Sequence, residues 1–235
     1  MRFVTWNLCA GDTEAKVARF GTPPDVAVLC EVSKTAPIAS PYRSSPEWLW
    51  EGELVDRGIA IASWTTEMIR VVPSEESTQG RFSVAAHLAN GMGVVGLWAC
   101  PPKTGRSYGA EIHSTIDAYE EMLCTRPCLL AGDFNITPGG SADHRNGVTK
   151  RLDQLGYVSA YHAFHGVDFG DEQPTYYHQF KNEQPFHIDM VFVPKHLTTA
   201  IRSVEIAPLD GWVTAGRLRS DHVPVSVEFD LDSLP

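Results

Sequence analysis

The chain has 235 residues, of which 43% are hydrophobic and 20% charged. That composition excludes a disordered protein and leaves enough chain for a sizeable core. The formal net charge of -10 repels nucleic acid phosphates, so duplex binding needs a local basic stripe, and no continuous run of Lys and Arg supplies one. No apolar run approaches the roughly 20 residues of a membrane helix. The N-terminus MRFVTWNLCA lacks a charged leader with a long apolar run behind it. The cysteines are Cys9, Cys30, Cys100, Cys124 and Cys128. The first three lie in apolar, strand-like runs, and the last two lack the neighbours of a zinc site. A reduced, cytoplasmic chain without a disulfide framework is expected.

In chain order, a first strand runs from Arg2 to Leu8. DVAVLCEV, from Asp25 to Val32, is a short apolar run consistent with a buried strand, and GIAIAS from Gly58 to Ser63 is another. RFSVAAHLANGMGVVGLWAC reads as a hairpin turning at Asn90-Gly91. YGAEIHSTIDAYEEML places Ile112, Ile116, Tyr119 and Leu123 at helical spacing. RPCLLAGDF follows as a strand, and SADHRNGVTKRLDQLG as a short helix stopped by Gly156. FHIDMVFVP and HVPVSVEFD are two late strands. The Pro-rich patch near Pro37 to Pro46 and the stretch from Phe164 to Pro174 read as connections. Neither is long or biased enough to link two domains, so residues 1–235 are expected to form a single domain. Strands in hairpins with helices between some of them suggest two packed sheets flanked by helices.

Polar residues recur at the strand ends. Asn7 ends the first strand and Glu31 the second; Asp133 and Asn135 end CLLAGDFN; Asp189 lies in HIDMVFV; Asp221 and His222 open the last strand. Burying carboxylates there is costly without a compensating cation or donor. Oxygen ligands from Glu, Asp and Asn suit Mg²⁺ or Mn²⁺ better than zinc. Taken singly, Asn7 and Asn135 can also be turn caps, Asp221 a strand cap and His222 a structural histidine. Asp12 and Asp143 read as acids at helix N-termini, and Trp6 and Trp98 as core.

In order, TWN (Thr5 to Asn7), CE (Cys30-Glu31), GDFN (Gly132 to Asn135), HID (His187 to Asp189) and SDH (Ser220 to His222) resemble the endonuclease/exonuclease/phosphatase superfamily. The resemblance spans nearly the whole chain. It implies a four-layer α/β sandwich, with two mostly antiparallel sheets packed face to face between helices, and divalent-metal cleavage of phosphate esters. Glu31 would bind the metal, with Asn7 and Asp221 completing or supporting its shell. Asp133 would activate the attacking water and Asn135 would hold a phosphate oxygen. His222 would donate to the phosphate, oriented and kept charged by Asp189. Tyr108, at the start of the helix after LWACPP, would match a family tyrosine that contacts the phosphate.

The sequence also departs from the family pattern. Cys9 stands where many DNA-repair members carry an acid. His187 and Met190 flank Ile-Asp where many carry Arg and an aromatic. Trp98 stands near the place of a histidine in relatives of pancreatic deoxyribonuclease. Short, mostly bacterial members share a run like SAYHAFHGVDFGDEQPTYY, from Ser159 to Tyr177. His162, His165 and Glu172 in that run could border the active site or make local hydrogen bonds. The expected substrate is a phosphate ester, with nucleic acid one candidate, and no membrane partner is expected. A nuclease-like phosphodiesterase and a small-molecule or lipid-headgroup phosphatase both fit. A non-catalytic binding module is the alternative of another class. Local Lys103, Arg106, Arg145, Lys150 and Arg151 could serve a nucleic acid ligand.

Overall fold

A computed structural model describes residues 1–34, 47–73, 81–100, 107–181, 183–213 and 220–231. The Pro-rich patch at 37–46, Lys103 and Arg106 lie outside these residues. The elements begin with β1 (Arg2–Asn7), α1 (Thr13–Val17), β2 (Val26–Val32), β3 (Glu47–Leu54), β4 (Arg57–Ser63) and β5 (Met68–Val71). Then come β6 (Ser83–Leu88), β7 (Gly93–Trp98), α2 (Tyr108–Thr125), β8 (Cys128–Asp133), α3 (Ser141–Asn146) and α4 (Val148–Gln154). The chain continues with β9 (Tyr157–Ser159), α5 (Ala160–His165), β10 (Tyr176–Tyr177), β11 (Pro185–Phe186), β12 (Asp189–Pro194), β13 (Ile201–Ile206) and β14 (Val225–Phe229).

Two six-stranded sheets carry the fold, ordered β13-β14-β1-β2-β4-β3 and β5-β6-β7-β8-β12-β9. Each is antiparallel except for one central parallel pair, β1 with β2 and β7 with β8. Parallel neighbours end at the same edge. Asn7 therefore lies beside Cys30, and Trp98 beside Asp133, at the strands' C-terminal ends.

The sheets pack face to face through Val28, Ile59, Val84, Leu129 and Val191, all in one buried cluster. Gly96 keeps the faces close, since a Cβ there would meet Val28 Cγ1 at 3.1 Å. On the outer face of the second sheet, Ile112 and Ile116 of α2 and Leu152 of α4 cover Val95, Leu130 and Phe192. On the outer face of the first, Val17 of α1 packs with Val4, Trp6, Leu29 and Ala60. The order is helix, sheet, sheet, helix, the expected four-layer α/β sandwich. Each fully buried Leu or Ile contributes about 1.5–3 kcal/mol, so the three interfaces between the four layers supply most of the stabilising free energy.

The Asn90-Gly91 turn forms, with Gly91 at φ 87°. The helix expected from Ser141 is two helices. Gly147 takes a left-handed φ of 65° and ends α3, and α4 starts at the next residue. The Asp143 carboxylate ties the pair together, accepting from the Gly139 and Thr149 amides at 2.8 and 3.0 Å. Asp12 caps α1 by accepting from the Ala15 amide at 3.0 Å. The segment up to His165 is helical, forming α5, so the expected connection begins at Gly166. Cys30 and Cys128 are buried and all five cysteines are free, while Cys9 lies beyond β1 at φ 50° and not in a strand. Among the described residues, no helix is long and apolar enough to cross a membrane.

Candidate active site

The strand ends of both sheets meet at one cleft, because β1 of the first sheet packs on β8 and β12 of the second. The register of β8 with β12 sets Asp133 directly opposite Asp189. These carboxylates are 1% and 0% exposed, so two like charges share a site that water hardly reaches. Asp221 and His222 do not open the last strand, since β14 starts at Val225; His222, three residues before it, joins the two acids with its Nδ1 2.7 Å from Asp189 Oδ2. Ligand atoms of Asp133, Asp189 and His222 all lie within 4.8 Å of one another.

The electrostatics follow from burial and proximity. Burial, then the Asp189 charge, pushes the Asp133 carboxyl up to about 7, although His222 and the Asn7 amide pull the other way. Burial opposes charge on His222 as well. Asp189 overrides it, with Asp133 and Asp221 adding, and the imidazole is held up at about 9. His222 is therefore charged at neutral pH, with Nδ1–H spent on Asp189. Its position is fixed from the backbone: its amide donates to Ser220 Oγ at 3.0 Å, Ser220 Oγ donates to the Asn7 carbonyl at 2.7 Å, and Trp6 Nε1 donates to the His222 carbonyl at 2.9 Å.

Asn7 joins the two sheets' acids. Its Nδ2 donates to Glu31 Oε1 at 3.2 Å and to Asp133 Oδ2 at 2.9 Å. Its Oδ1 accepts the Cys9 amide at 2.9 Å, which fixes which way the side-chain amide faces. Asn7 thus supports the carboxylates through its nitrogen. Asn135 grips Asp133 from the other side, its backbone N donating to Oδ1 at 2.9 Å and its Nδ2 to Oδ2 at 3.0 Å. The second Nδ2 hydrogen goes to the Ala99 carbonyl at 3.0 Å. This grip needs a left-handed backbone at Asn135, φ 51°, which asparagine tolerates better than most residues.

Glu31 also has a left-handed backbone, φ 55°. The pairing of β2 with β4 slips between Cys30 and Val32, so a bulge at Glu31 swings its side chain out of the ladder. A non-glycine residue held so costs on the order of 1–3 kcal/mol. The Glu31 carboxylate is 3.9 Å from Arg57 Nε. Beside it, Cys9 and Ala10 also have positive φ. The buried Lys16 ammonium clamps their loop by donating to the Leu8 and Ala10 carbonyls, each at 2.5 Å. Burial, then Asp221 and Glu31, pushes the Cys9 thiol up to about 11, so at neutral pH it is a neutral donor to Asp221. Asp221 is also 4.0 Å from His222 Nε2.

The donor set of Glu31, Asp133, Asp189 and Asp221 is dominated by hard oxygens. Among the described residues, Asp189 Oδ1 is buried without a hydrogen-bond partner. An orphaned carboxylate oxygen amid other acids fits a hard divalent cation, or a proton-bearing group of the substrate, entering the cleft.

Of the expected residues, Asn7, Glu31, Asp133, Asn135, Asp189, Asp221 and His222 are brought together. Tyr108 is the first residue of α2, next to its cap Ser107, and is 44% exposed. Among the described residues, no hydrogen bond joins it to the acids. Another tyrosine touches the site. The Tyr176 ring lies 4.6 Å from the His222 ring, and the two residues form an isolated β-bridge. Phe186 stacks on the far side of Tyr176 at 6.3 Å and is 47% exposed. The two-residue strand β10 has no periodicity to reveal this; the one sign in the sequence is the aromatic pair after Pro174-Thr175. Arg151 is engaged by Asp117 and Glu120 at 2.6 and 2.8 Å, which leaves Arg145 and Lys150 as the exposed bases of that group.

An α/β sandwich with an acidic, histidine-bearing cleft at its strand ends defines the class of hydrolase folds to which nucleases and phosphatases belong. The sequence profile of the Endonuclease/Exonuclease/phosphatase family matches residues 4–222, and the chain belongs to that family. Among solved structures, it is similar to a 3′ phosphatase from Neisseria bound to a product DNA hairpin, with a TM-score of 0.73 and 19% identity over 98% of this chain and 99% of that one. It is also similar to an AP endonuclease from Archaeoglobus fulgidus, with a TM-score of 0.71 and 16% identity over 98% of this chain and all (100%) of that one. The endonuclease domain of TRAS1, a telomere-specific retrotransposon, follows at 0.67 and 14%, over 99% of each chain. At these identities the likeness is one of fold. No curated protein sequence matches the chain.

Proposed function

We propose that this protein is a divalent-cation-dependent phosphodiesterase of nuclease type, in which Asp133 activates the attacking water. The observation that carries this reading is the buried Asp133–Asp189–His222 cluster, tied to Glu31 through Asn7. A carboxyl raised to about 7 is a base poised for proton transfer near neutral pH. Asp133 takes the water's proton. The charged His222 donates from Nε2 to a non-bridging phosphate oxygen, while Asp189 holds the ring through Nδ1. Asn135 orients Asp133 and yields its Nδ2 to a phosphate oxygen as substrate enters. Tyr108 supplies a further donor to the phosphate.

Mg²⁺ or Mn²⁺ would be held by Glu31, with Asn7 and Asp221 around it, and would supply positive charge to the phosphate and the leaving oxygen. The DNA-directed activities named for similar structures support a nucleic acid substrate. The net charge of -10 favours the second reading, a small-molecule or lipid-headgroup phosphatase. The test is turnover of bis-p-nitrophenyl phosphate, p-nitrophenyl phosphate, and single- and double-stranded DNA, each with Mg²⁺, Mn²⁺ or EDTA. Metal-dependent cleavage of the diester or DNA, lost in Asp133→Ala, is expected. Cleavage of the monoester alone supports the second reading, and near-full activity of Asp133→Ala would sink the mechanism.

A further inference from the structure

Behind the Asp189–His222 pair lies a second buried acid–imidazole pair that the reaction does not touch. His162 Nε2 is 3.0 Å from Glu172 Oε1, with side chains 8% and 4% exposed. Every polar atom of the pair has a partner. His162 Nδ1 meets Ser159 Oγ at 2.9 Å, and Glu172 Oε2 accepts the Gly170 amide at 2.9 Å. Phe169 closes over the His162 ring at 4.5 Å.

Glu172 begins a strap that leads straight to the cleft. At the next residue, Gln173 N donates to the Tyr161 hydroxyl at 3.1 Å, and the Gln173 carbonyl is 2.8 Å from His187 Nδ1. Two residues on, Thr175 Oγ1 accepts both the Ile188 and Asp189 amides at 3.0 Å. The Thr175 carbonyl accepts from Val223 at 2.8 Å. Tyr176 then lies against His222. Thr175 thus bonds to the backbone on both sides of the catalytic pair, at Asp189 and next to His222.

We propose that the buried His162–Glu172 pair is a positioning element: it anchors the strap from Glu172 to Tyr176, and through Thr175 it sets the register between Asp189 and His222. The chemistry suits the task. An apolar filler would occupy the same volume, but a doubly bonded carboxylate fixes direction as well as depth. The proposal rests on the reading of Asp189 and His222 as the catalytic pair. A misplacement of about 1 Å can cost on the order of 100-fold in rate, so a small slackening of the strap is measurable.

The test compares Glu172→Ala, Glu172→Gln and Thr175→Val in the full chain. One readout is kcat and KM for bis-p-nitrophenyl phosphate with Mg²⁺. The other is the low-field Nδ1–H proton resonance of His222 by NMR, which reports the Asp189 hydrogen bond without substrate or metal. For Glu172→Ala, kcat is expected to fall about 10- to 100-fold with KM nearly unchanged, and the resonance to broaden in a protein that stays folded. Glu172→Gln keeps one acceptor oxygen, enough for His162 or for the Gly170 amide but not for both, and is expected to restore kcat and the resonance in part. Should Glu172→Ala not fold, Thr175→Val cuts the strap downstream with the pair intact and is expected to show the same two changes. An unaltered resonance and kcat in folded Glu172→Ala, or in Thr175→Val, overturns the proposal. If the wild-type protein cleaves no diester, the functional reading fails, and the resonance alone still decides whether the strap positions His222.

Discussion

Asp133 and Asp189 face each other across the β8–β12 ladder, one gripped by two asparagines and the other bonded to His222. The register makes them neighbours, but their partners differ, so their roles differ. Asp133, among neutral amides, is the one left to accept a proton. Asp189, against an imidazolium, stays committed to orienting it. Asp189→Asn keeps the shape but removes the charge that holds His222 protonated. We expect turnover to fall about 10²- to 10⁴-fold, with circular dichroism and thermal unfolding showing an intact fold. Loss below tenfold would remove Asp189 from the mechanism.

The pH profile of kcat/KM should be bell-shaped. Asp133 must be ionised to act as base, and its carboxyl is raised to about 7, so activity rises with pH through that value. His222 must be charged, and its imidazole is raised to about 9, so activity falls as pH rises through that value. The limbs belong to the coupled cluster. His222→Gln should remove the alkaline limb and move the acid limb to higher pH, because the imidazolium charge holds the Asp133 carboxyl down. A single flat profile from pH 5 to 10 would contradict the assignment of both groups.

Removal of metal tests the Glu31 side of the cleft separately. EDTA should abolish diester cleavage, and added Mg²⁺ or Mn²⁺ should restore it. Glu31→Gln should weaken Mn²⁺ binding by about tenfold or more, measured by titration calorimetry, while a control at the exposed Glu121 should leave it unchanged. Equal affinity in wild type and Glu31→Gln would move the cation elsewhere.

Gly132 bears on stability and on site geometry together. Its φ is 144°, and a Cβ there would lie 1.8 Å from the Leu97 carbonyl oxygen on the neighbouring strand β7. Gly132→Ala must push apart the strand that delivers Asp133, and urea unfolding should show a loss above about 2 kcal/mol. Gly91 has a φ of 87° with nothing within 4 Å. Gly91→Ala should cost about 1 kcal/mol from backbone strain alone.

Most of the site was legible because it sits where periodicity breaks. Each apolar strand stops at an acid or amide, and a buried acid at a strand end is conspicuous against Val, Leu and Ile. Seven expected residues share the cleft for that reason. Tyr176 was not legible, since a two-residue strand carries no pattern and its place depends on a bridge to a residue 46 positions further on, His222. The break between α3 and α4 falls at Asn146-Gly147, the same dipeptide that turns the hairpin at Asn90-Gly91, so its signal was present in the sequence. The strap was visible as a motif, but its hydrogen bonds depend on which atoms α5 and β12 present to it. Short strands such as β5 and β9, at sheet edges, drew too little from composition to be distinguished from loops.

The Asn7 amide spans the seam between the sheets, bonded at once to Glu31 of the first and Asp133 of the second. The cleft therefore acts as a gauge of how tightly the two halves of the sandwich are shut. A variant that loosens the facing layers without melting either sheet pulls the two acids away from their shared amide first. Catalysis should fade in such a protein while its strands are still intact, and the temperature at which activity is lost would lie below the one at which the sheets unfold.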